Sequence, residues 1–283
     1  MKKLIKFIRN SSWTVRLMFV LGIALCAYPL VSSIHEGMIQ NNVLSTYTKK
    51  VNQSNKVDIK EQIEKAHKYN DVLFQTMGAS VGDFDTDILS DDSYENILNI
   101  SGKGVMGSIE IPKISVNLPI YHGTSDDVLS NGVGHLQTSS FPVGGKNTRT
   151  ILTGHRGLPN AKLFTRLDEI KKNDLFYIKV GNKTLAYQVF KIEVIKPDEV
   201  DKLAIEEGKD LATLITCTPY GINSHRLVIT GKRVPYSPKK KAEIKPEMMS
   251  WRELAFTALP FILVAIVILK YVKNRRKERK LIS

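Results

Sequence analysis

Cysteine is scarce in this 283-residue chain, which holds only Cys26 and Cys217. Two cysteines exclude a framework of several disulfides, the usual way in which small secreted domains are stabilised. Cys26 lies inside a long apolar run, so Cys217 has no partner in the more polar part of the chain. A single thiol there is a candidate for chemistry, and the alternative is a buried, inert cysteine at the end of a strand.

Acidic residues are absent from the first sixteen positions, and the last fourteen contain only Glu278. The two tails hold twelve lysine and arginine residues, so they carry eleven of the thirteen net positive charges. The residues between them are almost neutral. The basic charge therefore belongs to the chain ends, and we expect no nucleic-acid partner.

Each basic tail flanks an apolar run, which we interpret as a transmembrane segment at 17–34 and at 251–272. Trp13 and Trp251 stand at the rims of these runs, as aromatic residues do at membrane interfaces. A cleaved signal peptide is the alternative for the first run, and Val31-Ser32-Ser33 is the nearest approach to a cleavage site.

Lysine and arginine are retained on the cytoplasmic side of a membrane. We therefore expect the tails 1–16 and 273–283 to be cytoplasmic, with the intervening domain outside the cell membrane. An oxidising exterior normally selects paired cysteines or none, which makes the solitary Cys217 more notable.

Three regions follow one another in the expected external domain. Residues 35–103 are helical, with an amphipathic helix in the stretch from 58 to 75, residues 104–233 are rich in short β-type runs, and residues 234–250 form a proline- and lysine-rich linker. Seven or eight strands in so short a region predict a closed or nearly closed β-barrel. One short helix is expected at 161–170, and the strands are expected at 106–111, 117–121, 149–153, 175–180, 184–195, 211–216 and 226–232.

Cys217 ends one of these runs and Arg226 begins the next. If the two strands pair antiparallel, both residues lie at the same end of adjacent strands. A guanidinium beside a sulfur stabilises a thiolate or an oxyanion, because its charge is permanent and its donors form a fixed fork. The missing part is a group that gives and takes protons.

Six histidines compete for the proton-transfer role. His155 follows the run "RTILTG" and stands at a strand end, and His122 in "LPIYHG" has a similar setting. His225 is next to Arg226 and points away from it if the strand alternates. Spacing leaves His122 as the rival of His155.

The segments around these residues resemble a known family. "TLITC" matches the TLxTC signature of sortases, the Gram-positive cysteine transpeptidases, while "TGHRG" and "HRLVITGKR" resemble the segments with their catalytic histidine and arginine. Longer stretches over about 104–233, including "GVMGSIEIPKI" and "GVGHLQTSSFPVGGKNTRTILTGHRGLPNAKLFTRLD", resemble class C, the pilin polymerases. The two membrane segments also suit that class.

The resemblance implies a mainly β fold: an eight-stranded sortase-type barrel with short helices, an N-terminal helical and lid segment, and two flanking transmembrane helices. It implies Cys217 as nucleophile, His155 as general acid, Arg226 as oxyanion stabiliser and Thr216 as a supporting residue. Such enzymes cleave an LPxTG-like signal between threonine and glycine, hold a thioester, and pass the acyl group to a pilin lysine. The resemblance implies no cofactor, and the acidic residues lack the spacing of a calcium loop, so we expect no metal.

The family's lid departs from its usual pattern here. Class C enzymes typically place an Asp-Pro-aromatic motif over the active site, whereas this chain has Asp83 and Phe84 adjacent in "VGDFDTD", without proline. We predict a lid at 81–95 in which Asp83 pairs with Arg226 and Phe84 covers Cys217, with Asp85 as another candidate acid. The alternative is a solvated acidic linker.

Other functions remain open on the sequence. A housekeeping sortase attaching surface proteins to the cell wall, or a cysteine hydrolase releasing them, would use the same three residues. A noncatalytic membrane-anchored binding barrel would make Cys217 a packing residue.

Overall fold

The computed structural model describes residues 13–78, 86–158 and 161–247, with separate helical positions between 254 and 266. The chain divides into two compact units, one of residues 1–32 with 248–283 and one of residues 33–247. The second unit contains all of the strands in the described chain.

Two long helices precede the strands. α1 is Trp13–Gln53 and α2 is Lys56–Gly78. The predicted amphipathic helix is confirmed by α2, whose apolar positions at helical spacing, Ile59, Ile63 and Ala66, are buried. The short helices are α3 (Asp91–Asn96), α4 (Asp126–Asn131) and α5 (Pro238–Glu243), with 3-10 turns at Thr86–Leu89, Pro112–Ile114, Leu167–Glu169 and Pro197–Lys202.

Eight strands close into a barrel, which confirms the predicted eight-stranded β-barrel. The strands lie in the spatial order β1-β2-β3-β4-β7-β8-β6-β5. Their bounds are β1 Val105–Ile111, β2 Val116–His122, β3 Val133–His135, β4 Thr148–Thr153, β5 Leu175–Val180, β6 Lys183–Ile195, β7 Asp210–Thr218 and β8 His225–Val234. Most neighbours are antiparallel, but β2 pairs β3 and β4 pairs β7 in parallel.

The barrel interior forms one large apolar core. Its fully buried members include Ile109, Phe176, Tyr187 and Ile229. Helix α2 packs on this core from outside, since Ile59 and Ile63 belong to the same cluster. The hydroxyl of Tyr47 on α1 donates to the carbonyl of Met106 at 3.1 Å and accepts the amide of Gly181 at 3.0 Å. The part of α1 from residue 33 onward and all of α2 are therefore part of the folded domain.

The helix predicted at 161–170 is wrong. This stretch is a buried loop ending in a 3-10 turn, Leu167–Glu169. Leu163 has a φ of 32°, a left-handed value that interrupts a right-handed helix. The apolar spacing is satisfied differently, because Leu163, Phe164 and Leu167 are buried under the barrel.

The linker predicted at 234–250 has contacts of its own. Its α5 carries Lys241, which pairs with Glu110 at 2.5 Å. Further on, the amide of Glu247 donates to the carbonyl of Lys113 at 2.8 Å, and Arg166 donates to the carbonyl of Glu247 at 2.6 Å. Up to residue 247 this segment is fastened to the barrel, and it is not a free tether.

No helix among the residues described here is both long and apolar enough to cross a membrane. The predicted spans at 17–34 and 251–272 are therefore not confirmed, and the second lies largely outside the described residues.

Candidate active site

Cys217 is the penultimate residue of β7 and is half-buried, with a free thiol. The strand alternates, so Leu214 faces the main core while Ile215 belongs to a separate apolar cluster with Ile151 and Val228. Cys217 is two residues beyond Ile215 and shares its face of the sheet. The thiol therefore lies beside an apolar surface on the outside of the barrel.

Arg226 lies directly opposite Cys217 in the antiparallel pair of β7 and β8, as the sequence predicted. Its Nη1 donates to the carbonyls of Asn223 and His225, both at 3.2 Å. Within the described residues its guanidinium forms no salt bridge with a carboxylate. Arg226 therefore sits on the strand position facing Cys217, and among the described residues no carboxylate neutralises its charge.

His155 follows β4 by two residues. Thr153 on β4 pairs with Ile215 on β7 in parallel, and the next amide, Gly154 N–H, donates to the Ile215 carbonyl at 3.1 Å. β4 ends at Thr153, and extending its register by two residues would set His155 level with Cys217. His155 is half-buried, and its carbonyl accepts the amide of Phe164 at 3.1 Å.

Thr216 connects these two strand ends. Its side chain is buried, and its hydroxyl donates to the carbonyl of Gly154 at 2.8 Å. The residue before the thiol is thus bonded to the residue before the imidazole. This contact gives a physical basis for the supporting role predicted for Thr216.

His122 is held in a different place. Its ring is buried, with Nδ1 3.0 Å from the carbonyl of Gly104 and Nε2 2.7 Å from the carbonyl of Ile97. Both nitrogens are occupied by backbone contacts, so the ring has no free position for proton transfer. His155 instead follows the strand that pairs with the Cys217 strand, so the prediction of His155 as the proton-transfer residue stands.

Two residues that sequence reasoning missed also belong to this region. Arg156 is buried and pairs with Asp168 at 2.6 Å. The signal was available in "TGHRG", because an arginine beside a strand-end histidine needs an acidic partner if the loop is buried. The distance of twelve positions to Asp168 hid that partner.

The predicted lid is divided by the limits of the described residues. Asp83, Phe84 and Asp85 lie outside them. The remainder of the predicted lid forms the 3-10 turn Thr86–Leu89 and most of α3, where Tyr94 is buried and accepts the amide of Gly123 at 2.8 Å. Residues 86–95 are therefore packed on the barrel and are not a solvated linker. Within the described ranges, no group of three His, Cys, Asp or Glu side chains could hold a metal ion.

Together these observations define a closed eight-stranded barrel with a thiol, an imidazole and a guanidinium at one end of three adjacent strands. This is the arrangement of a cysteine acyltransferase or hydrolase site. Comparison with known proteins identifies the family to which this site and fold belong. The family model described as "Sortase domain" matches residues 109–234.

Solved structures with the same fold cover most of the described domain. Sortase C1 from Streptococcus agalactiae is 43% identical, with a TM-score of 0.63, and the similarity covers 69% of this chain and 100% of that one. Sortase C from Clostridium perfringens, solved with the C-terminal cell wall sorting motif, is 41% identical, with a TM-score of 0.58, covering 69% and 99%. These structural neighbours of the present chain are class C sortases.

Sortase D of Bacillus subtilis strain 168 is 34% identical over 131 residues, which are 45% of this chain and 63% of the relative. The chain spans less than two thirds of the length of this relative and of the Sortase A proteins of Streptococcus agalactiae and Bacillus anthracis. The chain belongs to the sortase family, which is a family of cysteine transpeptidases.

Proposed function

We propose that this protein is a class C sortase that cleaves an LPxTG-like sorting signal between threonine and glycine and transfers the acyl group to a lysine of a pilin subunit. One observation carries the proposal. Cys217 and Arg226 are partners across β7 and β8, and His155 follows the end of β4, whose last residue Thr153 pairs with Ile215, two residues before Cys217 on β7.

Cleavage begins with attack by the Cys217 thiolate on the threonine carbonyl carbon. A carbon–sulfur bond forms, and the developing oxyanion meets the N–H donors of Arg226. The carbon–nitrogen bond to glycine then breaks, and the His155 imidazolium gives its proton to the departing amine. The product is a thioester on Cys217 and neutral His155.

Transfer reverses this order of events. The amine of a pilin lysine attacks the thioester carbonyl, and His155 takes the proton that the amine loses. The carbon–sulfur bond breaks and restores the thiolate, while the new amide links two subunits. Only the identity of this nucleophile separates a transpeptidase from a hydrolase.

The apolar cluster beside the thiol supports a peptide substrate of this type. Ile215, Ile151 and Val228 lie on the face that Cys217 shares, with Leu136, Ile195 and Leu203 packed around them. A leucine and a proline ahead of the scissile bond would bury apolar surface against the partly exposed Leu136, Ile195 and Leu203. The sorting motif bound to the Clostridium perfringens sortase C also agrees with this substrate class.

The proposal includes a place in the cell. We propose that residues 17–34 and 251–272 anchor the protein in the cell membrane, that both termini are cytoplasmic, and that the barrel faces outward. The support is the basic charge of both tails, which carry eleven of the thirteen net charges. Substrate signals exported through the same membrane would then arrive close to Cys217.

Product analysis tests this function. The full-length protein in detergent is incubated with a sorting-signal peptide and either a pilin subunit, a cell-wall peptide amine or water alone, and the products are identified by mass. We expect a pilin-linked product, a thioester adduct on Cys217, and neither from Cys217→Ala. A cell-wall adduct as the main product would indicate a housekeeping sortase, and free acid alone would indicate a hydrolase.

A further inference from the structure

Arg156 follows His155 directly, yet its side chain is turned into the protein and is only 3% exposed. Its Nη2 pairs with Asp168 at 2.6 Å. Asp168 lies at the far end of the loop that starts with His155, so the ion pair joins both ends of this loop. Segment 155–168 is called the histidine loop below.

The other edge of the guanidinium faces the nucleophile strand. Nη1 donates to the hydroxyl of Thr218 at 3.1 Å and lies 3.5 Å from the carbonyl oxygen of Cys217 itself. One planar group therefore contacts the histidine loop on one side and the last two residues of β7 on the other. Arginine suits this position because its donors point outward in a rigid fork.

The loop between β7 and β8 also contacts the Arg156 guanidinium, through Tyr220. The ring of Tyr220 lies 5.7 Å from the Arg156 guanidinium carbon, in cation–π range. The ring also covers Gly157, where an added Cβ would come within 3.0 Å of it, and Gly157 has a φ of 83°. Glycine at 157 thus allows the aromatic ring to rest against the backbone beside Arg156.

The positive charge of Arg156 is neutralised by an ion pair within the protein. Asp168 neutralises it at 2.6 Å, whereas Arg226 forms no salt bridge among the described residues. An ion-paired guanidinium directed at a side-chain hydroxyl and a strand carbonyl does not face a developing oxyanion. Arg156 therefore contributes to the geometry of the site, and stabilisation of the oxyanion is assigned to Arg226.

We propose that Arg156 is a positioning residue that holds His155 at the level of Cys217 and fixes the loop between β7 and β8 beside them. The inference rests on the proposed function, because positioning has a catalytic meaning only if His155 and Cys217 react together. Displacing catalytic groups by about 1 Å is enough to cost roughly 10²-fold in rate. Loss of the bridge between the histidine loop and β7 permits a displacement of this kind.

Arg166 provides a matched control within the same part of the chain. It is as buried as Arg156 and pairs with Glu169 at 2.7 Å, but its remaining contact goes to the carbonyl of Glu247 and not to β7. Arg166→Met therefore reports the cost of removing a buried ion pair within the histidine loop that makes no contact with β7. Arg156→Met removes a similar pair together with the bridge to the nucleophile.

The test compares steady-state cleavage of a sorting-signal peptide by the full-length variants. For Arg156→Met we expect kcat to fall about 10²-fold while KM changes less than about threefold, because the groups that react are displaced and the peptide surface is retained. Arg156→Lys should not rescue the rate, since one ammonium does not span Asp168 and Thr218 as the fork does. Arg166→Met should keep kcat within about threefold of the parent, whatever its thermal midpoint.

A double-mutant cycle tests the route through Thr218. Thr218→Val removes the acceptor of the Nη1 bond and should lower kcat about tenfold, but it should add little in the Arg156→Met background. Full additivity of the two changes would overturn the bridge. So would a kcat for Arg156→Met equal to that of Arg166→Met.

Amide hydrogen exchange gives a readout that needs no substrate. Arg156→Met should speed exchange in peptides covering 154–158 and 217–224, and Arg166→Met should not alter the second segment. If the parent protein cleaves no sorting-signal peptide, the proposed function fails, and exchange at 217–224 alone decides whether Arg156 holds this loop. Unchanged exchange there in Arg156→Met would overturn the inference.

Discussion

At the scale of single residues, the site separates two arginines by what surrounds them. Arg156 is buried against a carboxylate, while Arg226 contacts only backbone carbonyls among the described residues. We therefore propose that the same side-chain chemistry serves geometry at position 156 and charge stabilisation at position 226. At both positions we expect lysine to be a poor substitute, because each proposed role uses the planar fork of the guanidinium.

Arg226→Lys keeps the charge but loses the planar fork. We expect the rate of thioester formation on Cys217 to fall about 10²-fold or more, as when an oxyanion donor is lost. Quenched-flow mass measurement of the acyl-enzyme checks this. Arg233→Lys is the matched control, because Arg233 lies on the same strand and pairs with Asp210 at the other end of the barrel.

The two histidines should differ in what their loss affects. His155→Ala should lower the transfer rate by about 10²- to 10⁴-fold with little change in thermal stability. His122→Ala should leave the buried Ile97 carbonyl without its ring contact and cost roughly 1–3 kcal/mol of stability, while the Gly104 carbonyl keeps the His122 amide and the folded enzyme keeps its activity. Thermal unfolding and single-turnover assays on both variants measure the two effects. The reverse pattern would transfer the proton role to His122.

At the scale of elements, sequence patterns predicted the strands well where β-branched residues alternate. The strand expected at 184–195 is found as Lys183–Ile195, and antiparallel pairing placed Cys217 opposite Arg226 as expected. β3 was missed because Val133–His135 is only three residues long, and its pairing with β2 and β4 is not visible in the sequence. The Arg156–Asp168 pair was missed for a related reason, since it depends on how the histidine loop folds back.

Helix α3 is docked on the barrel through a buried histidine, which predicts a dependence of stability on pH. Burial lowers the pKa of His135 from 6.5 to about 4, while its hydrogen bond to the Ser140 carbonyl opposes this and nearby His122 adds to it. The hydroxyl of Tyr94 on α3 lies 3.0 Å from Nδ1 of the ring, and Nε2 lies 2.9 Å from the Ser140 carbonyl. The unfolded chain takes up the proton first as the pH falls.

Stability should therefore be complete above about pH 7 and should decline as the pH falls from about 6.5 to 4, by about 3 kcal/mol for this group. Chemical denaturation followed by near-UV circular dichroism at several pH values measures the decline. His135→Gln should be less stable at neutral pH but should show a smaller decline. Equal slopes in the two proteins would contradict the assignment to His135.

The lid remains a prediction about an element whose key residues lie outside the described chain. Replacing Asp83 and Phe84 with alanine should speed modification of Cys217 by a thiol reagent, and should raise peptide hydrolysis more than polymerisation, because a cover that excludes water is removed. Glu95→Gln is the control, since Glu95 is an exposed acid on α3, just downstream. Identical modification rates in all three proteins would favour an open site without a lid.

At the scale of the whole molecule, the proposed membrane topology is open to direct measurement. Protease added to intact protoplasts should digest the barrel and leave both basic tails protected, because positively charged flanks are retained inside. Epitope tags at the two termini identify the protected ends. A mature N-terminus near Ser32 would show instead that the first apolar run is a cleaved signal.

The parallel pairing of β4 with β7 also determines the stage of folding at which the proposed catalytic residues come together. The hydrogen bond from Thr216 to Gly154 joins residues 62 positions apart. Bringing these strand ends together costs loop-closure entropy that local contacts do not offset, so they meet late in folding. His155 emerges from synthesis well before Cys217 and Arg226. Under the proposed topology, a chain halted during export before β7 is outside holds an imidazole with no thiol to serve, and it acylates nothing. Under this proposal, only a chain whose barrel has finished folding is catalytically active.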